Sequence, residues 1–117
     1  MIRLINDDRF PWLLIVPKMS DAMELHDLPD DLFDRAMLFA RRLGMILKSG
    51  FAADKINTAA IGNMVGQLHI HVVARRRDDA AWPAPVWGAG QMVPLRDDEA
   101  QRRIALVRKA LAGKNIS

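Results

Sequence analysis

The 117-residue sequence contains no cysteine. Disulfides, thiol nucleophiles and cysteine-ligated zinc are therefore excluded, and the chain is compatible with a reducing, cytoplasmic setting. No run approaches the roughly 20 apolar residues that a membrane-spanning helix needs. The opening stretch, residues 1–8, turns to charge at Arg3, Asp7 and Asp8, too early for a secretory signal. No internal repeat or low-complexity segment appears. A strong charge of one sign is also missing, with 17 Lys and Arg against 14 Asp and Glu. A dedicated nucleic-acid binder carries a dense basic stripe. Here there are only Arg75-Arg76-Arg77 and a looser group, Arg102, Arg103, Arg108 and Lys109, which reads as a solvated helix face. Neither nucleic acid nor membrane is expected as a partner.

What is present suffices for one core. Hydrophobic residues make up 50% of the chain, and its length suits a single domain over residues 1–117 rather than two. Arg3-Leu4-Ile5 and Leu13-Leu14-Ile15-Val16 read as strands, joined by a turn rich in Asn and Asp at residues 6–9. A long helix follows, with Asp27 as N-cap, Pro29 in the first turn and Gly50 as the stop. Leu32, Phe33, Ala36, Met37, Ala40, Leu43, Ile46 and Leu47 recur at helical spacing and form its apolar stripe. Met37, Met45 and Met64 read as core filler. Lys55–Ile61 and Gln67–Arg75 are strand candidates, most cheaply connected as an antiparallel hairpin. Residues 78–91 hold two prolines, two tryptophans and two glycines and read as an ordered loop. A final helix starts near Asp97 or Asp98, buries Ala100, Ile104, Val107 and Leu111, and ends at Gly113. The class is α+β with an antiparallel sheet, one long central helix and a C-terminal helix.

Chemistry concentrates in Gln67-Leu68-His69-Ile70-His71-Val72-Val73. Alternation along a strand sends Leu68, Ile70 and Val72 into the core and lines Gln67, His69 and His71 on the other face, about 7 Å from one to the next. A row of imidazoles can act as nucleophile, acid, base or ligand. One reading is a nucleophile that attacks phosphorus and forms a phosphoramidate. A second is a metal site, which needs a third ligand that the remaining histidine, His26, is not set to provide. A third has His69 and His71 as partly buried structural residues. Trp82 and Trp87 either pin the proline-rich loop or cover a pocket mouth, and Arg75 or Arg77 is a candidate phosphate contact.

The segment resembles the signature of the histidine-triad superfamily, His-φ-His-φ-His-φ-φ with φ apolar. Trp12-Leu13-Leu14-Ile15-Val16-Pro17-Lys18 looks like that family's strand ending in Pro-Lys, and Leu25-His26-Asp27-Leu28 like its approach to the long helix. Residues 81–88 look like a bacterial subgroup related to diadenosine tetraphosphate hydrolases. Relatives often carry a further strand before Arg3. The resemblance implies a histidine-triad fold and a hydrolase or nucleotidyl transferase acting at the α-phosphate of a purine nucleotide. It needs no cofactor or metal, is usually a homodimer, and is cytoplasmic.

By the same resemblance His69 is the nucleophile. His71 matches the third histidine, which supports the nucleophile through its main-chain carbonyl and faces the phosphate with its ring. Asn6, Asn57 and Asn63 match positions that touch ribose, nucleotide and phosphates. Gln67 stands where the first histidine belongs and cannot deliver a proton near neutral pH. Met64 and Gly66 stand where many relatives have a phosphate-binding serine, and Trp12 where several have another histidine. The alternative is a nucleotide-binding module with little turnover.

Overall fold

A computed structural model describes residues 1–113; the last four residues of the expected domain, 114–117, lie outside the described residues. Four strands, β1 (Ile2–Leu4), β2 (Trp12–Ile15), β3 (Lys55–Ala59) and β4 (Ile70–Arg75), form one antiparallel sheet in the order β1-β2-β4-β3. Two helices, α1 (Asp30–Gly50) and α2 (Asp97–Ala112), complete the α+β architecture.

The register sets the two faces. Leu13 pairs with Val72, and Asn57 and Trp12 both pair with Val73. Because side chains alternate, Leu13, Ile15, Ile70, Val72 and Ala74 share one face. They pack with Ala36, Ala40, Leu43, Ile46 and Leu47 of α1 and Val107 of α2 into the main core. The opposite face is not left to solvent. Phe10, Trp12, Val73 and Val86 form a second buried cluster, roofed by the loop that follows β4. All six residues of β4 are therefore buried.

Several elements begin or end differently from expectation. Asp27 does not cap α1. It closes a separate 3-10 turn, Leu25–Asp27, where its carboxylate accepts the N–H groups of Met23 and Glu24 at 2.9 Å. Pro29 takes the N-cap position of α1, since the residue before a proline is pushed out of helical geometry. Asp30 and Asp31 lie in the first turn of α1 and Lys48 in the last, each sign matched to the helix dipole. Phe33 is at the edge of the stripe and exposed, and Met45 and Met64 are exposed at 60% and 98%, so they are not core filler. On α2 the most buried side chains are Arg103 and Val107. Arg103 thus leaves the group read as a solvated face. Its guanidinium donates to the carbonyls of Asp7, Asp8 and Phe10 at 2.9–3.1 Å and pairs with Glu99 at 2.8 Å. No helix among the described residues is long and apolar enough to cross a membrane.

Candidate active site

Strand β4 begins at Ile70, so Gln67 and His69 precede the ladder. The chain there leans on the segment before α1. The Leu68 N–H donates to the Ala22 carbonyl, and the Gln67 side-chain amide donates to the Met19 carbonyl at 3.1 Å. Gln67 is thus tied away from the two imidazoles that alternation set beside it. Its main chain does the opposite: its carbonyl oxygen lies 2.7 Å from His69 Nδ1. An oxygen acceptor at that distance requires a proton on Nδ1, which in the neutral ring leaves the lone pair on Nε2. The carbonyl that holds the candidate nucleophile is therefore that of Gln67, rather than that of His71.

His71 is fixed in the complementary way. Its Nδ1 accepts the indole N–H of Trp12 at 3.0 Å and that of Trp87 at 3.4 Å, and its Nε2–H donates to the Ile61 carbonyl at 3.1 Å. Burial pushes its pKa below the usual imidazole value and nearby His69 adds to this, against a smaller opposing effect of the Ile61 hydrogen bond. The ring is consequently neutral and faces a carbonyl. It stacks edge-on between two partners, 5.0 Å from the ring of His69 and 5.1 Å from that of Trp87.

The half-buried His69 opens on a cleft of about 380 Å³ shared with Arg9, Trp12, Gly62, Asn63 and Trp87, within the range of small-molecule sites. A smaller, more polar recess of about 80 Å³ adjoins it on Glu24, Gly62, Asn63, Gly66 and His69. Gly62 lets the 61–65 loop approach the ring: a Cβ there would lie 3.2 Å from His69 Cε1 and 2.8 Å from the Val65 carbonyl oxygen. Arg9 is the cation of the cleft, but its guanidinium is taken up by Asp7 at 2.9 and 3.0 Å and by the Ala89 carbonyl.

Of the residues singled out from the sequence, His69 and Asn63 meet at the cleft, and His71 lies behind it. Asn6 and Asn57 are placed elsewhere. The Oδ1 of Asn6 accepts the Leu95 N–H at 2.8 Å, and that of Asn57 accepts Arg75 Nη1 at 2.8 Å. Arg75 is itself buried and bound to Asp79 and to the Ala84 carbonyl, so it is no phosphate contact. Arg77 is exposed, and its N–H donates to Asp54. The two tryptophans divide the roles considered for them. Trp82 lies under the Arg75 guanidinium and donates its backbone N–H to Asp79, pinning the loop, whereas Trp87 lines the cleft. His26 stands exposed beside Asp27. Among the described residues no three His, Asp or Glu side chains gather as metal ligands. Trp12 as the partner of His71 was missed. The available signal was a tryptophan in a buried strand, whose N–H requires an acceptor.

The profile of the family described as HIT domain matches residues 1–78. The chain belongs to this family. It resembles histidine triad proteins of known structure from Bradyrhizobium japonicum (42% identity, TM-score 0.91, covering 93% of this chain and 81% of that one) and Sinorhizobium meliloti 1021 (38%, 0.91, 93% and 81%). A third, from Marinobacter aquaeolei VT8, is 36% identical with a TM-score of 0.91, covering 95% of this chain and 81% of that one. Among curated proteins it is 33% identical over 76 residues to adenosine 5'-monophosphoramidase HNT1 of Saccharomyces cerevisiae, covering 61% of this chain. The match spans about half, 48%, of that relative's length. The histidine-triad fold expected from the signature is thus the fold observed.

Proposed function

We propose that this single-domain histidine-triad protein is a nucleotide hydrolase or nucleotidyl transferase that acts through His69. The observation that carries the reading is the 2.7 Å contact of His69 Nδ1 with the Gln67 carbonyl, which in the neutral ring puts the lone pair on Nε2, at the edge of a nucleotide-sized cleft. Nε2 attacks the α-phosphorus of a purine nucleotide. The Nε2–P bond forms, the bond from phosphorus to the leaving group breaks, and the leaving group takes a proton from solvent. Positive charge then spreads over the nucleotidylated ring, and the Gln67 carbonyl stabilises it. Water attacks the same phosphorus, the Nε2–P bond breaks, and the nucleoside monophosphate departs. Asn63 and the main-chain N–H groups of the 62–66 loop are the donors for the phosphoryl oxygens. The likeness to a monophosphoramidase supports a phosphoramidate bond as substrate, with a phosphoanhydride as the second choice. The protein is cytoplasmic and works as a homodimer, for which the exposed Leu38 and Met45 of α1 offer apolar surface.

Brief exposure to adenosine 5'-phosphoramidate or an adenosine polyphosphate, followed by mass spectrometry, is expected to give one added AMP that maps to His69 and is absent in His69→Ala. No adduct with either compound, or an adduct on another residue, refutes the mechanism. A second reading, a binding module with little turnover, is favoured by one observation: the Gln67 amide is committed to the Met19 carbonyl and can give the leaving group no proton. An adduct that forms in a burst and then persists would select it.

A further inference from the structure

We propose that Trp87 is a substrate-binding residue whose indole N–H leaves His71 and donates to a phosphate oxygen when a nucleotide occupies the cleft. This rests on the nucleotide-binding reading above. A neutral imidazole protonated on Nε2 has one in-plane lone pair, on Nδ1. Two indoles compete for it in this structure. Trp12 is buried and approaches to 3.0 Å, a normal hydrogen bond, while Trp87 reaches only 3.4 Å, near the limit of a useful one.

The second indole is therefore the under-satisfied donor, and it is the more accessible of the two. Trp87 is half-buried, and its ring and that of His69 flank His71 on the same cleft. A hydrogen bond to an ionised phosphate is roughly twice as strong as one between neutral groups, so the exchange favours the ligand. The exchange leaves no polar group bare, because Trp12 keeps the His71 lone pair. The cleft also calls for such a donor, since its cation, Arg9, is already engaged by Asp7 and Ala89. The backbone is arranged to hold the indole there. Val86 before it is buried in the second cluster, and Gly88 and Gly90 after it adopt φ of 83° and 72°, left-handed conformations that glycine takes without steric strain.

The test is titration of the wild type and of Trp87→Phe with AMP and with adenosine, followed by calorimetry and by the indole N–H resonances. The three indoles are assigned with single Phe variants. AMP is expected to move the Trp87 indole proton while leaving that of Trp12 in place, and adenosine is expected to move neither. Trp87→Phe should weaken AMP about tenfold to a hundredfold and leave adenosine unchanged. Equal AMP affinity in the variant overturns the proposal, as does equal weakening of both ligands, which would mark lost contact area instead of a lost phosphate contact. Should the variant not fold, the wild-type indole shift decides alone: an unmoved Trp87 proton at saturating AMP overturns the proposal. If the wild type binds neither compound, the nucleotide reading itself fails and takes this one with it.

Discussion

Replacing Asp79 by asparagine should unfasten the loop that carries both tryptophans. The Asp79 carboxylate is almost wholly buried and gathers five donors. Arg75 contributes Nε at 2.8 Å and Nη2 at 3.2 Å, and Arg76, Ala81 and Trp82 contribute backbone N–H groups at 2.7–3.0 Å. Burial alone would raise its pKa, but these hydrogen bonds outweigh it and hold the group at about 2. Against an ordinary aspartate near 3.9, that depression corresponds to about 2.5 kcal/mol of stability. Asparagine does worse than a protonated acid, because an amino group that cannot accept replaces one oxygen and must face donors; in both cases the Arg75 guanidinium loses its counter-charge. Breaking a buried pair in this way costs about 3–5 kcal/mol. The two figures bracket the expectation, and the higher range is the better guide since the substitution also removes an acceptor. Urea denaturation of Asp79→Asn at neutral pH should show a loss of about 3–4 kcal/mol, with a melting temperature lower by on the order of 10 °C. The pH dependence has a defined sign. A depressed carboxyl stabilises fully above its unfolded-state value, and that stabilisation is lost as pH falls through its folded value. The gap between wild type and variant should therefore hold above about pH 4 and shrink toward pH 2. A loss under about 1 kcal/mol, far below the cost of breaking a buried pair, or a gap that ignores pH across that window, refutes the argument.

Gly62→Ala places a methyl group 2.8 Å from a backbone oxygen and 3.2 Å from His69 Cε1. Displacing the ring should slow formation of the His69 adduct by about tenfold to a hundredfold in single-turnover labelling, with little change in the urea midpoint; an unchanged rate would mean that the loop yields freely. Arg103→Ala leaves the carbonyls of Asp7, Asp8 and Phe10 without their donor and should cost about 3 kcal/mol by urea denaturation, far more than an exposed arginine would.

The strands and both helices were legible because their apolar periods are strong and their ends are marked by Asp, Pro and Gly. The helix face of β4 followed from alternation. What alternation could not supply was the cover on its other face. A strand with Val73 and Arg75 beside His71 reads as half-exposed until the segment carrying Val86 and Trp87 is seen to fold over it. That cover turned Arg75 from a phosphate candidate into the anchor of Asp79, and it engaged Asn57 as well. The order Gln-Leu-His-Ile-His located the nucleophile candidate, but its tautomer depended on a main-chain oxygen that no side-chain pattern encodes. The separate 3-10 turn was hidden for a similar reason, since Asp27 suits either of two successive helical starts.

The profile shared with other histidine-triad proteins stops at residue 78, yet Val86, Trp87, Gly88, Gly90 and Met92 build the far wall of the cleft. The cleft is therefore walled both by residues inside the matched stretch and by residues that lie beyond it. His69 stands in the matched part, and Trp87 faces the same cleft from the part that follows it. Exchanging residues 86–92 is therefore expected to reshape that wall while the His69 ring keeps its hold on the Gln67 carbonyl.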